Sequence, residues 1–264
     1  MKLLLYGNCQ LTIGLYSYLK NNTTLSLDIE RWTSYIFIRD KLSLELKKLS
    51  NYDIFIYQPV NDSYGIYSSN NLLSLLNKKC IKIGIPFIYI DSFFPLISKN
   101  DAHEIDGGDG YNNGKILNED IIIDLKKYNT KQEIILLYND NKINFNYENR
   151  FLENIERIRI KEKICDVKIV DFILQNYKKY KLIHLHVHPD KKILDHIAKQ
   201  VFNLLGIKEY IGNHDTDFDK IFGGEGKGYP YHQTSIDHFN FQFKSDKTAQ
   251  NYYLDLINII LNSN

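Results

Sequence analysis

The chain has 264 residues, of which 44% are hydrophobic and 25% are charged. These fractions are typical of an ordinary globular protein, and this length fits one hydrophobic core. The net charge is +1, from 33 basic and 32 acidic residues, so no basic excess points to a nucleic-acid partner. The sequence has no apolar run of about 20 residues, and we therefore expect no transmembrane segment. Three cysteines without a CxxC pair and the lack of a signal-peptide pattern favour a cytoplasmic protein.

Strands and helices alternate along the first 85 residues. Short apolar runs predict four strands, at residues 2–6, 25–32, 53–57 and 81–85. Helical spacing of apolar residues predicts helices at 11–19, 35–49 and 72–76. This order with short connections indicates an α/β fold, namely an open, mostly parallel sheet with helices on both faces and a flavodoxin-like core.

The second half of the chain first leaves this pattern and then resumes it. Glycine and asparagine clusters predict a loop over 101–116, and 117–180 is mostly helical with charged faces. We interpret about 101–180 as an insertion or cap within a single domain spanning 1–264. A strand is expected at 182–187, followed by an amphipathic helix that stops at Gly206, and a last helix at 248–261.

The turn Gly7-Asn8-Cys9-Gln10 directly follows the first predicted strand. In an open parallel sheet, ligands bind at the carboxyl ends of the strands. Cys9 would lie at a helix N-terminus, where the helix dipole favours anions and lowers the pKa of a thiol. Asn8 and Gln10 could donate amide hydrogen bonds to an oxyanion. The alternative is a small buried cysteine beside a glycine turn, with no chemical role.

Three histidines, His184, His186 and His188, alternate with apolar residues in a predicted strand. Alternation places them on one face, and Pro189 places His188 at the carboxyl edge of the sheet. A thiol and an imidazole would then be within reach, which is the minimum for acyl chemistry. His184 and His186 are better explained as structural, hydrogen-bonded residues.

A rival interpretation is a zinc site built on the three histidines. His214, Asp215 and Asp217 could complete such a site, but no neighbouring cysteine or HExxH motif supports it. We therefore expect no metal. Gln58, in Tyr57-Gln58-Pro59-Val60, closes the third strand at the same edge and is a further candidate donor in the site.

Four segments in order resemble motifs of the WcbI-type polysaccharide-biosynthesis family. They are the Gly-Asn-Cys-Gln turn at 7–10, the Gln-Pro motif at 57–60, the proline-bounded segment at 85–95, and the His-Pro motif at 188–189 leading to 205–207. The motif order is also similar to that of SGNH esterases. The sequence departs from those esterases because Cys9 replaces the serine and Leu185 stands where an aspartate would precede His188 by three residues. Asp190 is only a weak candidate for the carboxylate partner.

The resemblance implies an acetyltransferase that moves an acetyl group from acetyl-coenzyme A to a sugar hydroxyl in capsular or surface polysaccharide synthesis. Cys9 and His188 would be its catalytic residues, and Asn8, Gln10 and Gln58 would bind the oxyanion or substrate. No residues for coenzyme A are indicated, and a homo-oligomer is possible. Two alternatives stay open: a carbohydrate esterase of the SGNH type, and a non-catalytic nucleotide-sugar or glycan-assembly binding module.

Overall fold

A four-stranded parallel sheet forms the centre of the protein. The computed structural model describes residues 1–21, 26–97, 119–208 and 228–262. The strands are β1 (Lys2–Gly7), β2 (Asp28–Thr33), β3 (Ile54–Tyr57) and β4 (Ile81–Gly84), in the order β2-β1-β3-β4. The chain thus crosses from one side of β1 to the other, so the carboxyl ends of β1 and β3 form a topological switch point, where such sheets bind ligands.

Alternate residues of the central strands supply two hydrophobic cores. Leu3 and Leu5 of β1 belong to the larger core, whereas Leu4 and Tyr6 belong to a second core that includes Trp32. Successive side chains of a strand point to opposite faces, so both faces of this sheet need cover. This confirms the predicted α/β fold.

Short helices connect the strands. A π-helix at Gln10–Leu15 continues into α1 (Tyr16–Asn21), and α2 (Ser34–Arg39) and α3 (Ser69–Leu75) follow β2 and β3. The prediction of one helix over 35–49 was wrong. Lys41 has a left-handed backbone (φ 48°), and the Leu42 N–H bonds back to the Phe37 carbonyl at 3.0 Å, which closes α2. Two 3₁₀ helices, at Leu46–Asn51 and Asp62–Tyr67, complete this half.

The region predicted to be a helical insertion is helical where it is described. Its helices are α4 (Glu119–Lys126), α5 (Lys131–Asn139), α6 (Tyr147–Glu162) and α7 (Val170–Asn176). The predicted loop at 101–116 lies outside the described residues. The boundaries of the insertion and the single-domain organisation stay predictions.

The predicted strand at 182–187 is interrupted. Ile183–Leu185 forms β5, the chain turns, and His188–Pro189 returns as β6, antiparallel to β5. The expected continuation of the parallel sheet was therefore wrong here. The helices that follow are α8 (Lys191–Leu204), α9 (Gln233–Phe239) and α10 (Ala249–Asn262). Among the described helices, none is long and apolar enough to cross a bilayer.

A buried arginine on α6 holds the chain that follows β4. The Arg150 guanidinium donates to the carbonyls of Phe94 (3.0 Å), Pro95 (3.1 Å) and Asp91 (2.8 Å), and also to that of Ile97. Its side chain is buried, so these carbonyls replace water as its acceptors. One charged group thereby ties the helical region to the segment that leaves the sheet.

We expect Arg150→Met to lower the free energy of unfolding by roughly 3–5 kcal/mol, because several buried carbonyls and the Asp91 carboxylate lose their partner. Urea denaturation measures this change. Arg159→Met is the matched control, because Arg159 is exposed on the same helix and should change stability by at most about 0.5 kcal/mol. Equal stability of the two variants would contradict the assigned contribution of Arg150.

Candidate active site

The structure brings Cys9 and His188 together although 179 positions separate them. The Cys9 Sγ lies 3.4 Å from the His188 Nε2. Cys9 is the N-cap of the π-helix after β1, and His188 lies in β6, just before α8. Both side chains are only partly buried, so a ligand can reach them. A thiol beside an imidazole is a common arrangement for nucleophilic or base-assisted acyl chemistry.

Asn8 shapes the turn between β1 and the π-helix. Its carbonyl accepts the backbone N–H groups of Leu11 (3.0 Å) and Thr12 (2.9 Å), and its side-chain oxygen accepts the Gln10 N–H at 2.9 Å. These bonds satisfy groups that a helix N-terminus otherwise leaves unpaired. The turn is therefore preorganised before any ligand binds. Wide helical turns of this kind occur frequently at functional sites.

One side-chain donor in this turn is buried. The Asn8 side chain is 1% exposed, and its Nδ2 has no hydrogen-bond partner among the described residues. A buried amide without an acceptor costs about 1–3 kcal/mol. Such a group next to Cys9 suggests a donor kept for a ligand oxygen.

Gln10 and Gln58 are bonded within the protein. Gln10 Nε2 donates to the carbonyls of Ile88 and Val187, both at 2.7 Å, and its Oε1 accepts the Ile88 N–H and Gln58 Nε2, both at 3.2 Å. Gln58 Oε1 in turn accepts the Asn8 N–H at 2.8 Å. Both amide hydrogens of Gln10 are thus donated to the protein itself.

Gly7 allows this network to form. A Cβ at this position would lie 2.6 Å from Gln58 Oε1 and 2.9 Å from Leu11 Cδ2. Any larger residue would therefore displace Gln58 from the Asn8 N–H. The glycine of the motif is needed for this close approach of a side chain.

His188 is neutral at pH 7. Burial, together with the charge of His184, lowers its pKa to about 4. A neutral imidazole can accept a proton from a nearby thiol or hydroxyl, as general-base catalysis requires.

The other two histidines of the motif point elsewhere. The chain turns between β5 and β6, so the expectation of three histidines on one strand face was wrong. His184 Nε2 lies 3.0 Å from Asp190 Oδ2, and the His186 ring stacks on that of Tyr229. The described residues contain no group of three or more potential metal ligands. His214, Asp215 and Asp217 lie outside those residues.

Asp190 is engaged by groups other than His188. It caps α8 by accepting the Lys192 N–H at 2.9 Å and also bonds to His184. Burial opposes ionisation of Asp190, but these hydrogen bonds outweigh it and lower the pKa of the carboxyl. The carboxylate thus stabilises the segment that carries His188 through its bonds to His184 and to the start of α8, and not through a bond to His188.

Cys80 and Cys165 are buried, unlike Cys9. Burial raises the pKa of both thiols, that of Cys165 to about 12. Neither residue therefore has the properties of a reactive cysteine.

Sequence patterns did not reveal the backbone that completes the site. The extended segment after β4 lies beside the turn that precedes His188, and the Ile90 N–H bonds to the His186 carbonyl at 2.8 Å. Beyond β5, the Tyr229 N–H bonds to the His184 carbonyl at 2.8 Å, and a Cβ on Gly228 would lie 2.3 Å from that oxygen. Carbonyl acceptors carry no side-chain signal, so only the fold could identify them.

Together these features define an α/β protein with a cysteine–histidine pair at the switch point of a parallel sheet. The family model described as the polysaccharide biosynthesis enzyme WcbI matches residues 2–210. The chain belongs to this family, as its motifs predicted. A search of curated protein sequences finds no match.

A solved structure of WcbI, described as a novel polysaccharide biosynthesis enzyme, has the same fold. The TM-score is 0.75 at 16% sequence identity, over 100% of this chain and 90% of the other. That structure is described as the native protein without a disulfide bond between coenzyme A and a cysteine.

We expect the His188 imidazole to remain neutral down to pH 5.5, because its pKa is lowered to about 4. NMR titration of the ring Cε1–H measures this, with His188→Gln identifying the resonance. Its chemical shift should stay constant between about pH 7.5 and 5.5, well above the lowered pKa. A midpoint near 6.5, the ordinary value, would show that the ring is not desolvated.

Proposed function

We propose that this enzyme transfers an acetyl group from acetyl-coenzyme A to a sugar hydroxyl of a capsular or surface polysaccharide. The Cys9–His188 pair at 3.4 Å carries the proposal. Family membership supports a role in polysaccharide biosynthesis. The description of the solved relative mentions coenzyme A together with a cysteine, and Cys9 is the cysteine of this chain that faces a histidine.

The neutral His188 acts as the general base. In one route it takes the proton of the Cys9 thiol, whose sulfur attacks the acetyl carbonyl; the C–S bond to the coenzyme breaks, and His188 returns the proton to the leaving coenzyme sulfur. The sugar hydroxyl then attacks the Cys9 thioester and loses its proton to His188, and the Cys9 sulfur leaves and regains that proton. In the other route the hydroxyl attacks acetyl-coenzyme A directly, and His188 takes its proton and passes it to the coenzyme sulfur as the C–S bond breaks. Both routes yield a sugar acetate and free coenzyme A, so they differ only in whether Cys9 is acylated.

The three predicted amide residues divide into two roles. Asn8 donates through Nδ2 to the oxygen that becomes negative in the transition state, since this donor has no acceptor in the part of the chain that the structure describes. Gln10 and Gln58 act as positioning residues. Their amides join the turn after β1 to the backbone at Ile88 and at Val187.

Calorimetric titration with coenzyme A and acetyl-coenzyme A tests the proposal. The wild type should bind both ligands saturably, and Cys9→Ala should still bind them, because a sulfur atom contributes little to recognition of the rest of the coenzyme. Release of the coenzyme thiol from acetyl-coenzyme A should then depend on added saccharide. Absence of binding, combined with hydrolysis of simple acetyl esters, would favour the esterase instead. Full transfer activity in Cys9→Ala would exclude the acyl-cysteine route and leave the direct route intact.

Asn8→Asp should lower kcat by roughly 10²–10³-fold, the usual effect of removing an oxyanion donor. The carboxylate keeps the oxygen that accepts the Gln10 N–H but loses the Nδ2 donor. Asn61→Asp is the matched control, since Asn61 caps the Ser63 N–H in the same way at an exposed position. Thiol release from acetyl-coenzyme A measures both rates. Unchanged turnover in Asn8→Asp would remove Asn8 from the oxyanion site.

A further inference from the structure

An open cleft of about 480 Å³ lies between the α5–α6 connection and α9. Its polar lining comes from two amides, two hydroxyls, a carboxylate and an imidazole, namely Asn141, Asn144, Tyr147, Thr234, Asp237 and His238. Ile143 and Phe145 add buried apolar side chains. The volume is within the range of about 300–1,000 Å³ that small-molecule sites occupy. The cleft shares no lining residue with the Cys9–His188 pair and is therefore a separate candidate for binding a ligand.

Hydrogen bonds join the walls of the cleft before any ligand binds. The hydroxyls of Tyr147 and Thr234 lie 2.7 Å apart, and the Thr234 hydroxyl lies 2.8 Å from His232 Nδ1. The His232 ring is buried, and its Nε2 lies 2.8 Å from Gln250 Oε1. These bonds connect the starts of α6, α9 and α10. The cleft is thus preorganised, which lowers the entropic cost of binding a ligand.

The lining combines hydrogen-bonding groups with apolar side chains. Among the described residues, Asp237 is bonded through one carboxylate oxygen only, which accepts Gln233 Nε2 at 2.7 Å. The Asn144 side-chain oxygen accepts the Asn146 N–H at 2.9 Å, which leaves its Nδ2 as a donor. A sugar ring presents hydroxyls at its rim, which pair with planar carboxylate and amide groups, and C–H faces, which pack on apolar side chains. The cleft offers both kinds of contact.

The charges at the cleft disfavour an anionic ligand. None of the described residues that line it is a lysine or an arginine. It contains the Asp237 carboxylate, and His238 Nε2 lies 3.5 Å from the carboxylate of Glu148. A phosphate group would lose hydration here without a strong cation to compensate for it. The cleft therefore fits a neutral, polyhydroxylated ligand better than the phosphates of a coenzyme.

We propose that this cleft binds a saccharide unit of the acceptor glycan, apart from the unit that is acetylated. Its role in holding the acceptor rests on the proposed function, whereas sugar binding is argued from the cleft alone. A polymeric acceptor has many units, so one unit can occupy the cleft while another supplies the reacting hydroxyl. Two linked contacts raise the effective concentration of the acceptor without any new contact at the reacting atoms.

The test is NMR titration of the full chain with glucose, galactose, mannose and N-acetylglucosamine. The wild type should bind at least one of these sugars saturably. Asp237→Ala should raise its dissociation constant roughly fivefold or more, because a charge-assisted hydrogen bond is lost. Asp237→Asn keeps an oxygen acceptor and should retain most of the affinity. Asp255→Ala is the matched control, since Asp255 is an exposed helical carboxylate outside the cleft, and it should bind the sugar like the wild type.

Calorimetry with coenzyme A separates this inference from the proposed function, and thermal unfolding verifies the fold of Asp237→Ala. Absence of binding of all four sugars, or wild-type sugar affinity in Asp237→Ala, would overturn the inference and leave the proposed function intact. Equal weakening of coenzyme A binding in Asp237→Ala would also overturn it, by showing a general structural effect. Sugar binding in a wild type that does not bind coenzyme A would support the cleft as a sugar site and refute the proposed function.

Discussion

The geometry of the site depends on the hydrogen bonds of the buried Gln10 side-chain amide. Its four hydrogen bonds join Ile88, Val187 and Gln58 to the turn after β1. A buried amide must find partners for all its polar atoms, and here the partners come from three distant parts of the chain. The network is therefore directional and determines where His188 lies relative to Cys9. A hydrophobic residue of similar volume could fill the space but could not impose this geometry.

The same burial that orders the site also sets its chemistry. Desolvation keeps His188 uncharged at neutral pH, so the imidazole is available as a base. Asp190 bonds to His184 and so stabilises the segment that carries His188. The arrangement therefore differs from a catalytic triad, in which the carboxylate bonds to the histidine that faces the nucleophile. Burial also leaves Asn8 Nδ2 without an acceptor among the described residues, where a developing negative charge would be best stabilised.

The family match supports the biological role of the protein, whereas the structural similarity supports its fold. The match over residues 2–210 makes the chain a member of a polysaccharide-biosynthesis enzyme family. The structural relative shares 16% identity and therefore supports the fold. The proposed reaction is supported by the site itself, in which one of the three cysteines is partly exposed and faces a neutral histidine.

The sequence by itself determined the parallel α/β core, since the alternation of buried strands and helices is local, and it identified Gly7 to Gln10, Gln58 and His188 as candidates. It misjudged the segment from 182 to 187, because apolar alternation does not reveal a turn between β5 and β6. It also overextended α2, which a left-handed Lys41 ends. Only the tertiary structure decided that His188, and not His184 or His186, faces Cys9, and that Gln10 binds backbone carbonyls. Those contacts join residues more than 75 positions apart, and no local pattern encodes them.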